Sequence, residues 1–202
     1  LAAALEHGIS LYSYYSGPSE MVIPDERCST GTELWDVHNN ADEAEGTMNL
    51  IDATANSVNT IFAQLVTQVG PDAVVRMAHR LGIESDLKPF CSITLGTQPV
   101  SPLEMTAAYA TLAGHGVRRD PQAIQSIVTA DGKKVPFKQA KPAVAVSRQI
   151  ADEVTYALEA VTQKGTGTGA AIGRPIAGKT GTAENYVDAW FCGYVPQLAT
   201  CV

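Results

Sequence analysis

Residues 178–182 read Gly-Lys-Thr-Gly-Thr, and they begin a run of β-type sequence that continues through 189–195 to the end of the chain. On a strand, a lysine followed by Thr-Gly-Thr presents a cation, two hydroxyl groups and a stretch of backbone without a side chain. An anionic, extended peptide could pair with such an edge, because Gly181 permits close approach. The segment therefore predicts a strand that can bind a peptide.

The sequence before this strand is mainly helical. An apolar stripe with helical spacing runs over 58–69, and Gly70 and Pro71 end one helix and begin the next. Ser101-Pro102-Leu103-Glu104 has the form of a capping box, and Ser147 is placed to cap a further helix. Helices followed by consecutive strands at 175–183, 189–195 and 198 onward predict an α/β fold of the α+β type, an antiparallel sheet flanked by helices.

Three shorter patterns predict smaller elements. Alternating tyrosines in segment 12–15 resemble an edge strand, and the apolar residues from Met48 onward predict a short helix that ends near Asn56. The segments 124–129 and 134–137, joined by an Asp-Gly pair, resemble a β-hairpin.

Ser57-Val58-Asn59 is the second chemical signal. It lies where the short helix meets the long amphipathic helix, and a turn there can direct the side chains of Ser57 and Asn59 into one cleft. The alternative is that Ser57 is only the N-cap of the second helix.

Composition limits the classes of function. With 202 residues and 45% apolar content, the chain can form one substantial core. The net charge of −7 opposes binding to nucleic acid, which needs clustered cations. The sequence also contains no apolar run of roughly 18 residues, the length that a membrane span requires.

The four cysteines show no C-x-x-C spacing, which disfavours a structural zinc site. Cys28 and Cys91 are predicted to be buried free thiols. Residues 195–198 resemble a turn that would place Cys192 opposite Cys201 on antiparallel strands, so a disulfide between these two remains open.

Other chemical patterns are rejected. Ser85-Asp86-Leu87-Lys88 fits Ser-x-x-Lys as letters, but it lies in a predicted loop where no helical turn stacks the lysine beneath the serine. The Gly-Thr-Gly-Thr-Gly segment at 165–169 follows a helix and precedes a strand, the reverse of a phosphate-binding loop, so a flexible loop is predicted. The four histidines are interpreted as structural or surface residues, and no metal site is predicted.

The ordered pair of Ser57-Val58-Asn59 and Lys179-Thr180-Gly181 resembles the signature of penicillin-binding proteins and serine β-lactamases. The chain is similar to the bifunctional class A penicillin-binding proteins over nearly all its length. The matching stretches are 1–6, 56–60, 80–83, 95–96, 100–104, 107–112 and 177–194.

This resemblance implies a β-lactamase/transpeptidase-like fold and a D,D-transpeptidase that cross-links peptidoglycan stem peptides through an acyl-serine. The implied partners are the D-Ala-D-Ala stem peptide, β-lactams and an N-terminal glycosyltransferase domain. No cofactor and no nucleic acid is expected. The implied location is the outer face of the cytoplasmic membrane, with an anchor elsewhere in the parent chain, and a disulfide is permitted there.

The resemblance also assigns roles to residues. The implied catalytic residues are Ser57, Asn59 and Lys179, and the implied substrate-binding residues are Thr180, Gly181 and Thr182. Ser57 would carry a proton to the leaving amine, and Asn59 would bind a substrate amide. Lys179 would keep the cleft positive. Thr180 and Thr182 would bind the terminal carboxylate, and the Thr182 amide would form half of an oxyanion hole.

The ends of the chain interrupt secondary structure, which predicts that 1–202 is a partial transpeptidase domain. It is expected to lack the upstream Ser-x-x-Lys segment, the last strands and a C-terminal helix. The fragment alone is then expected to be inactive. Two alternatives remain: a non-catalytic penicillin-recognising or scaffold domain, and a serine β-lactamase, which Val58 disfavours because class A β-lactamases have aspartate there.

Overall fold

A computed structural model describes residues 1–29, 32–40, 43–136, 140–183 and 188–202. The helices are α1 (Ala2–Glu6), α2 (Leu50–Asn56), α3 (Asn59–Val69), α4 (Pro71–Leu81), α5 (Pro102–Ala113) and α6 (Arg148–Lys164). The strands are β1 (Tyr14–Gly17), β2 (Glu20–Ile23), β3 (Trp35–His38), β4 (Gly46–Asn49), β5 (Val117–Arg118), β6 (Ile127–Val128), β7 (Lys134–Val135), β8 (Ala143–Val144), β9 (Ala177–Thr182), β10 (Ala189–Val195) and β11 (Leu198–Cys201).

The predicted antiparallel sheet with flanking helices is confirmed. Its strand order is β11–β10–β9, and α5 and α6 pack on it. Tyr194 of β10 shows how the layers join: its ring packs edge-on against Tyr109 of α5, and its hydroxyl lies 2.7 Å from the Thr155 hydroxyl of α6. The sheet is therefore fixed against two helices through one buried side chain.

Helix α3 ends, and helices α4 and α5 begin, at the residues that the sequence predicts. The apolar stripe of α3 is buried, Pro71 is the first residue of α4, and Gly70 and Gly82 follow α3 and α4 with positive φ. The capping box of α5 is complete, because the Ser101 hydroxyl and the Glu104 carboxylate each accept from a backbone N–H of the other residue. Helices α2, α3 and α6 form the main core, and Leu50, Ile61 and Val161 are fully buried there.

The prediction that Met48 begins a helix is wrong. Met48 belongs to β4, which pairs with β1 so that Met48 lies opposite Tyr15. Helix α2 begins only at Leu50, because the Asn49 side chain accepts from the N–H of Asp52 at 3.0 Å and caps it. Strand pairing and this cap overrule the local helical pattern.

The other two predicted short elements form with different bounds, because Tyr12 precedes β1 and the hairpin strands have only two residues each. The tyrosine-rich segment provides β1, and β6 pairs with β7 around Gly132, which has φ +82°. Phe137, at the end of the predicted hairpin, lies outside the described residues.

Both cysteine pairs are disulfide-bonded. Cys192 and Cys201 face each other on β10 and β11 with a Cα separation of 4.1 Å, which settles the open pairing. The prediction that Cys28 and Cys91 are free thiols is wrong, because they bond to each other across 63 residues. The turn at Cys91–Leu95 packs on α3 and thereby reaches the turn at Glu26–Cys28, a contact that spacing in the chain does not reveal.

Candidate active site

Ser57 occupies the junction between α2 and α3 in an unusual backbone conformation. It is the C-cap of α2 with φ 60° and ψ 46°, in the left-handed region, which costs a non-glycine residue about 1–2 kcal/mol. Val58, which is 1% exposed, is the N-cap residue of α3, so the alternative that Ser57 is an N-cap is wrong. A strained residue at a helix junction is characteristic of functional sites.

Lys179 of β9 reaches this junction. Its Nζ donates to Ser57 Oγ at 2.8 Å and to the carbonyl oxygen of Thr180 at 3.1 Å. The side chains of Ser57 and Lys179 therefore meet although 122 residues separate them in the chain. Burial removes water from the ammonium and lowers the pKa of Lys179 from 10.5 to about 8.

Within the described residues, one edge of β9 has no partner strand. Among the described strands only β10 pairs with β9, and the Ala183 N–H donates to the Asp188 carbonyl at the end of this pairing. Because bonded and non-bonded pairs alternate along antiparallel strands, Lys179 and Gly181 bond to β10, while the backbone N–H groups of Thr180 and Thr182 point to the open edge. This edge therefore presents backbone donors on the same strand as Lys179, whose ammonium contacts Ser57.

Asn59 does not join the Ser57–Lys179 hydrogen bond. Asn59 lies on the first turn of α3, and its Nδ2 donates to the carbonyl oxygen of His38 at 2.9 Å. Asn39 holds this neighbouring segment in place, because its Oδ1 accepts from the N–H of Thr60 at 3.1 Å and its Nδ2 donates to Pro18. The orientation of the Asn59 amide is therefore fixed by β3 and the residue that follows it.

The segment 165–169 lies beside the site, and backbone hydrogen bonds anchor its first three residues. The N–H of Thr166 donates to Ala55 in α2 at 3.0 Å, and the N–H groups of Gly165 and Gly167 both donate to Val161. The Thr166 hydroxyl lies 2.6 Å from the Thr180 hydroxyl. Sequence reasoning missed Thr166, since the only signal was a Gly-Thr-Gly that leads from a helix into the Lys-Thr-Gly strand.

The rejection of Ser85-Asp86-Leu87-Lys88 as a nucleophile motif is confirmed. The Ser85 hydroxyl donates to Glu104 at 2.7 Å, and Lys88 Nζ donates to Asp86 at 2.6 Å. The N–H of Ser101, together with the Ser85 hydroxyl, lowers the pKa of Glu104 to about 2. These residues support the start of α5 instead of forming a serine–lysine pair.

Across 1–29, 32–40, 43–136, 140–183 and 188–202, no cluster of three or more His, Cys, Asp or Glu could hold a metal ion. In the same ranges no helix has the length and apolarity to cross a bilayer.

Known proteins resemble this chain in sequence. The family described as the penicillin-binding protein transpeptidase domain matches residues 1–200. Penicillin-binding protein 1A of Aquifex aeolicus is 35% identical over 172 residues, which cover 84% of this chain and 23% of that protein. Penicillin-binding protein 1A of Mycobacterium tuberculosis is 31% identical over 226 aligned positions, which cover 100% of this chain and 26% of that protein. The chain thus spans about a quarter of the length of these curated relatives.

Solved structures agree. A penicillin-binding protein of Mycobacterium tuberculosis in complex with penicillin V superposes with a TM-score of 0.82 and 30% identity, covering 99% of this chain and 56% of that one. Penicillin-binding protein 1A from Haemophilus influenzae superposes with a TM-score of 0.85 and 26% identity, covering 99% of this chain and 35% of that one. The fold is therefore that of penicillin-binding protein transpeptidase domains.

Proposed function

The chain belongs to the penicillin-binding protein transpeptidase domain family, and from this premise we propose that it forms the catalytic groove of a D,D-transpeptidase that cross-links peptidoglycan stem peptides. Because the chain spans about a quarter of its curated relatives, the activity is proposed for the whole protein. The observation that carries the proposal is the 2.8 Å hydrogen bond from Lys179 to Ser57. It joins the two signature segments across one groove.

The proposed reaction is acyl transfer through a serine outside the 202 residues. That serine attacks the carbonyl carbon of the penultimate D-alanine, and the peptide bond to the terminal D-alanine breaks. The serine proton moves through a neighbouring base and reaches the nitrogen of the departing D-alanine. An amine of a second stem peptide then attacks the acyl-serine, gives up a proton and restores the serine hydroxyl.

Ser57 is proposed to relay the proton to the leaving nitrogen. The Lys179 ammonium donates to Ser57 Oγ, so the Ser57 proton is free to point into the groove. General acid catalysis of this kind contributes about 10²–10⁴-fold to a rate. The strained turn at Ser57 keeps the hydroxyl in this position, and Lys179 keeps the groove positive for an anionic peptide terminus.

The open edge of β9 is proposed to hold the substrate. An extended peptide can pair with the outward N–H groups, and Gly181, which carries no side chain, lets its backbone approach closely. The hydroxyls of Thr180 and Thr182 would bind the terminal carboxylate. The N–H of Thr182 would donate to the developing oxyanion, and loss of one such donor typically costs about 10²–10³ in rate.

Asn59 is proposed to accept from a substrate amide. Since its Nδ2 already donates to His38, Oδ1 is the atom that can accept from the N–H of a bound stem peptide. This assignment gives the groove one acceptor opposite the donors of β9.

The wider context is also proposed. β-Lactams would react as analogues of D-alanyl-D-alanine; a penicillin V complex and an imipenem acyl-enzyme are structures of related proteins. A glycosyltransferase domain and a membrane anchor would lie elsewhere in the parent chain. The groove would face the outside of the cytoplasmic membrane, where the two disulfides are stable.

The test is covalent labelling of the full-length protein with a fluorescent penicillin, followed by mass-spectrometric mapping of the modified serine. The proposal expects one labelled serine outside residues 1–202 and slow release of the label. Labelling on Ser57 would reassign the nucleophile. Fast turnover of nitrocefin would indicate a β-lactamase, and absence of any label would favour a non-catalytic domain.

A further inference from the structure

Thr166 lies beside the proposed groove and has no role in the mechanism above. We propose that Thr166 is a positioning residue for the carboxylate subsite: its hydroxyl donates to Thr180 Oγ1 and thereby directs the Thr180 proton toward the carboxylate of the substrate. This inference rests on the proposed function.

A single proton is shared between the hydroxyls of Thr166 and Thr180. Thr166 Oγ1 and Thr180 Oγ1 are 2.6 Å apart, so one proton lies between them. If Thr180 donated that proton, a bound carboxylate would meet only lone pairs on Thr180. An anion in the groove therefore selects the arrangement in which Thr166 donates, and a hydroxyl that accepts a hydrogen bond is polarised into a stronger donor.

The Thr166 backbone is held firmly enough to direct a proton. The N–H groups of Gly165 and Gly167 donate to Val161 at 3.1 and 3.0 Å, and the N–H of Thr166 donates to Ala55 at 3.0 Å. A Cβ at Gly165 would lie 2.1 Å from the Ala55 carbonyl oxygen, so only glycine permits this contact. The position of the Thr166 side chain is thus fixed by α2 and α6.

Thr166 contacts both α2 and β9, and a separate contact of α6 holds the start of β9. Ala55 lies two residues before Ser57 on α2. On the other side, the Thr162 hydroxyl of α6 donates to the carbonyl of Ile176, immediately before β9. The loop therefore ties the helix that ends at Ser57 to the strand that carries Thr180, and Thr166 provides the hydroxyl between them.

The expected kinetic effect follows from the charge of the carboxylate. This group stays anionic before and during acylation, so its contact stabilises the bound complex and the transition state equally. Loss of the Thr166 donor should therefore weaken the pre-covalent complex and leave the acylation rate constant unchanged. A purely structural role would disturb both constants.

The experiment measures acylation of the full-length protein by benzylpenicillin and by its methyl ester, which lacks the free carboxylate. Thr166→Val keeps the shape and removes the hydroxyl, Thr166→Ser keeps the hydroxyl, and Thr168→Val is the control in the same exposed loop. We expect Thr166→Val to raise the dissociation constant for benzylpenicillin about fivefold, the loss of one hydrogen bond between two hydroxyls, with less than a twofold change for the ester. Thr166→Ser and Thr168→Val should resemble the unmodified protein.

A double-variant cycle completes the test. In a Thr180→Val background, Thr166→Val should have no further effect on benzylpenicillin, because Thr166 acts through Thr180. The inference would be overturned by equally weakened binding of benzylpenicillin and its ester, or by an unchanged dissociation constant for benzylpenicillin in Thr166→Val. Additive effects of the two substitutions in the double variant would also overturn it. Failure of the unmodified protein to react with benzylpenicillin would instead overturn the proposed function, and this inference with it.

Discussion

Two regions of the molecule contain a serine and a lysine in similar order, and their surroundings differ. Ser57 and Lys179 come from separate elements, share a 2.8 Å hydrogen bond, and are both half-buried. Ser85 and Lys88 are neighbours in the chain, yet Ser85 bonds to Glu104 and Lys88 bonds to Asp86 at the surface. Nearness in sequence does not produce a chemical pair here.

The chemistry of each lysine therefore depends on the hydrogen-bond partner and on the burial of its ammonium group. Burial lowers the pKa of Lys179 to about 8, and its ammonium donates to a hydroxyl that is held in a strained turn. The Lys88 ammonium donates to a carboxylate and remains in water, where such pairs contribute little. Only the first arrangement can influence proton movement in a groove.

Replacing each of the two lysines by alanine should change the rate of penicillin acylation in one region only. Lys179→Ala should lower the second-order rate constant for penicillin acylation of the full-length protein by about 10³, because it removes both the groove's cation and the anchor of Ser57. Lys88→Ala should leave that constant unchanged. Equal loss in both variants would remove the contrast between the two regions.

The second prediction concerns stability near the Ser85 region. Cys91 follows Lys88 closely and closes a loop of 63 residues with Cys28, so Cys28→Ala with Cys91→Ala should cost about 4 kcal/mol in unfolding free energy. The Cys192–Cys201 bond closes a loop of only 9 residues, so its removal should lower the unfolding free energy by about 2.5 kcal/mol. Urea midpoints under non-reducing conditions compare the two.

A larger loss of unfolding free energy on removal of the Cys192–Cys201 bond than on removal of the Cys28–Cys91 bond would contradict this prediction. The Cys28→Ala, Cys91→Ala variant should still be acylated at the unmodified rate below its unfolding transition, since the bond belongs to a different apolar cluster from Val58 and Ala177, which flank the site.

The third prediction separates the two serines. Ser57→Ala should slow acylation about 10²-fold through loss of the proton relay, with little change in stability. Ser85→Ala should leave acylation unchanged and cost about 1 kcal/mol in stability, since one hydrogen bond to Glu104 is lost. Stopped-flow acylation and urea unfolding of the same samples test both. A slower Ser85→Ala variant would mean that this region also contributes to the groove.

The smallest expected effect is a pH dependence. If the charged form of Lys179 is required, acylation should fall as pH rises through about 8 and should approach a tenfold loss per pH unit above it. Lys179→Arg should lose this descending limb, because a guanidinium keeps its charge. The pH profiles of acylation for the two proteins provide the measurement, and an unchanged limb in Lys179→Arg would assign it to another group.

The same pKa determines the effect of pH on stability. The folded state lowers the proton affinity of Lys179, so burial of its charge opposes folding below about pH 8. That opposition fades between pH 8 and 10.5, and this group alone should make the fold more stable across that window.

The sequence by itself determined much of the architecture. Periodic apolar residues predicted α3, and Gly70, Pro71, the Ser101–Glu104 capping box and the Ser147 cap marked helix ends correctly, because these signals act over a few residues. The strands β9 to β11 were also predicted. The two signature segments indicated the family before their contact was known.

Contacts between residues that are far apart in the chain depend on tertiary packing. The Cys28–Cys91 bond, the orientation of Asn59 toward His38 and the contact of Thr166 with Thr180 each depend on how separate elements pack. Met48 joined a strand for the same reason. Local patterns encode the preference of a segment for helix or strand. The hydrogen bonds of the site join residues that are 14 to 122 positions apart, so they form only when the whole fold brings those residues together.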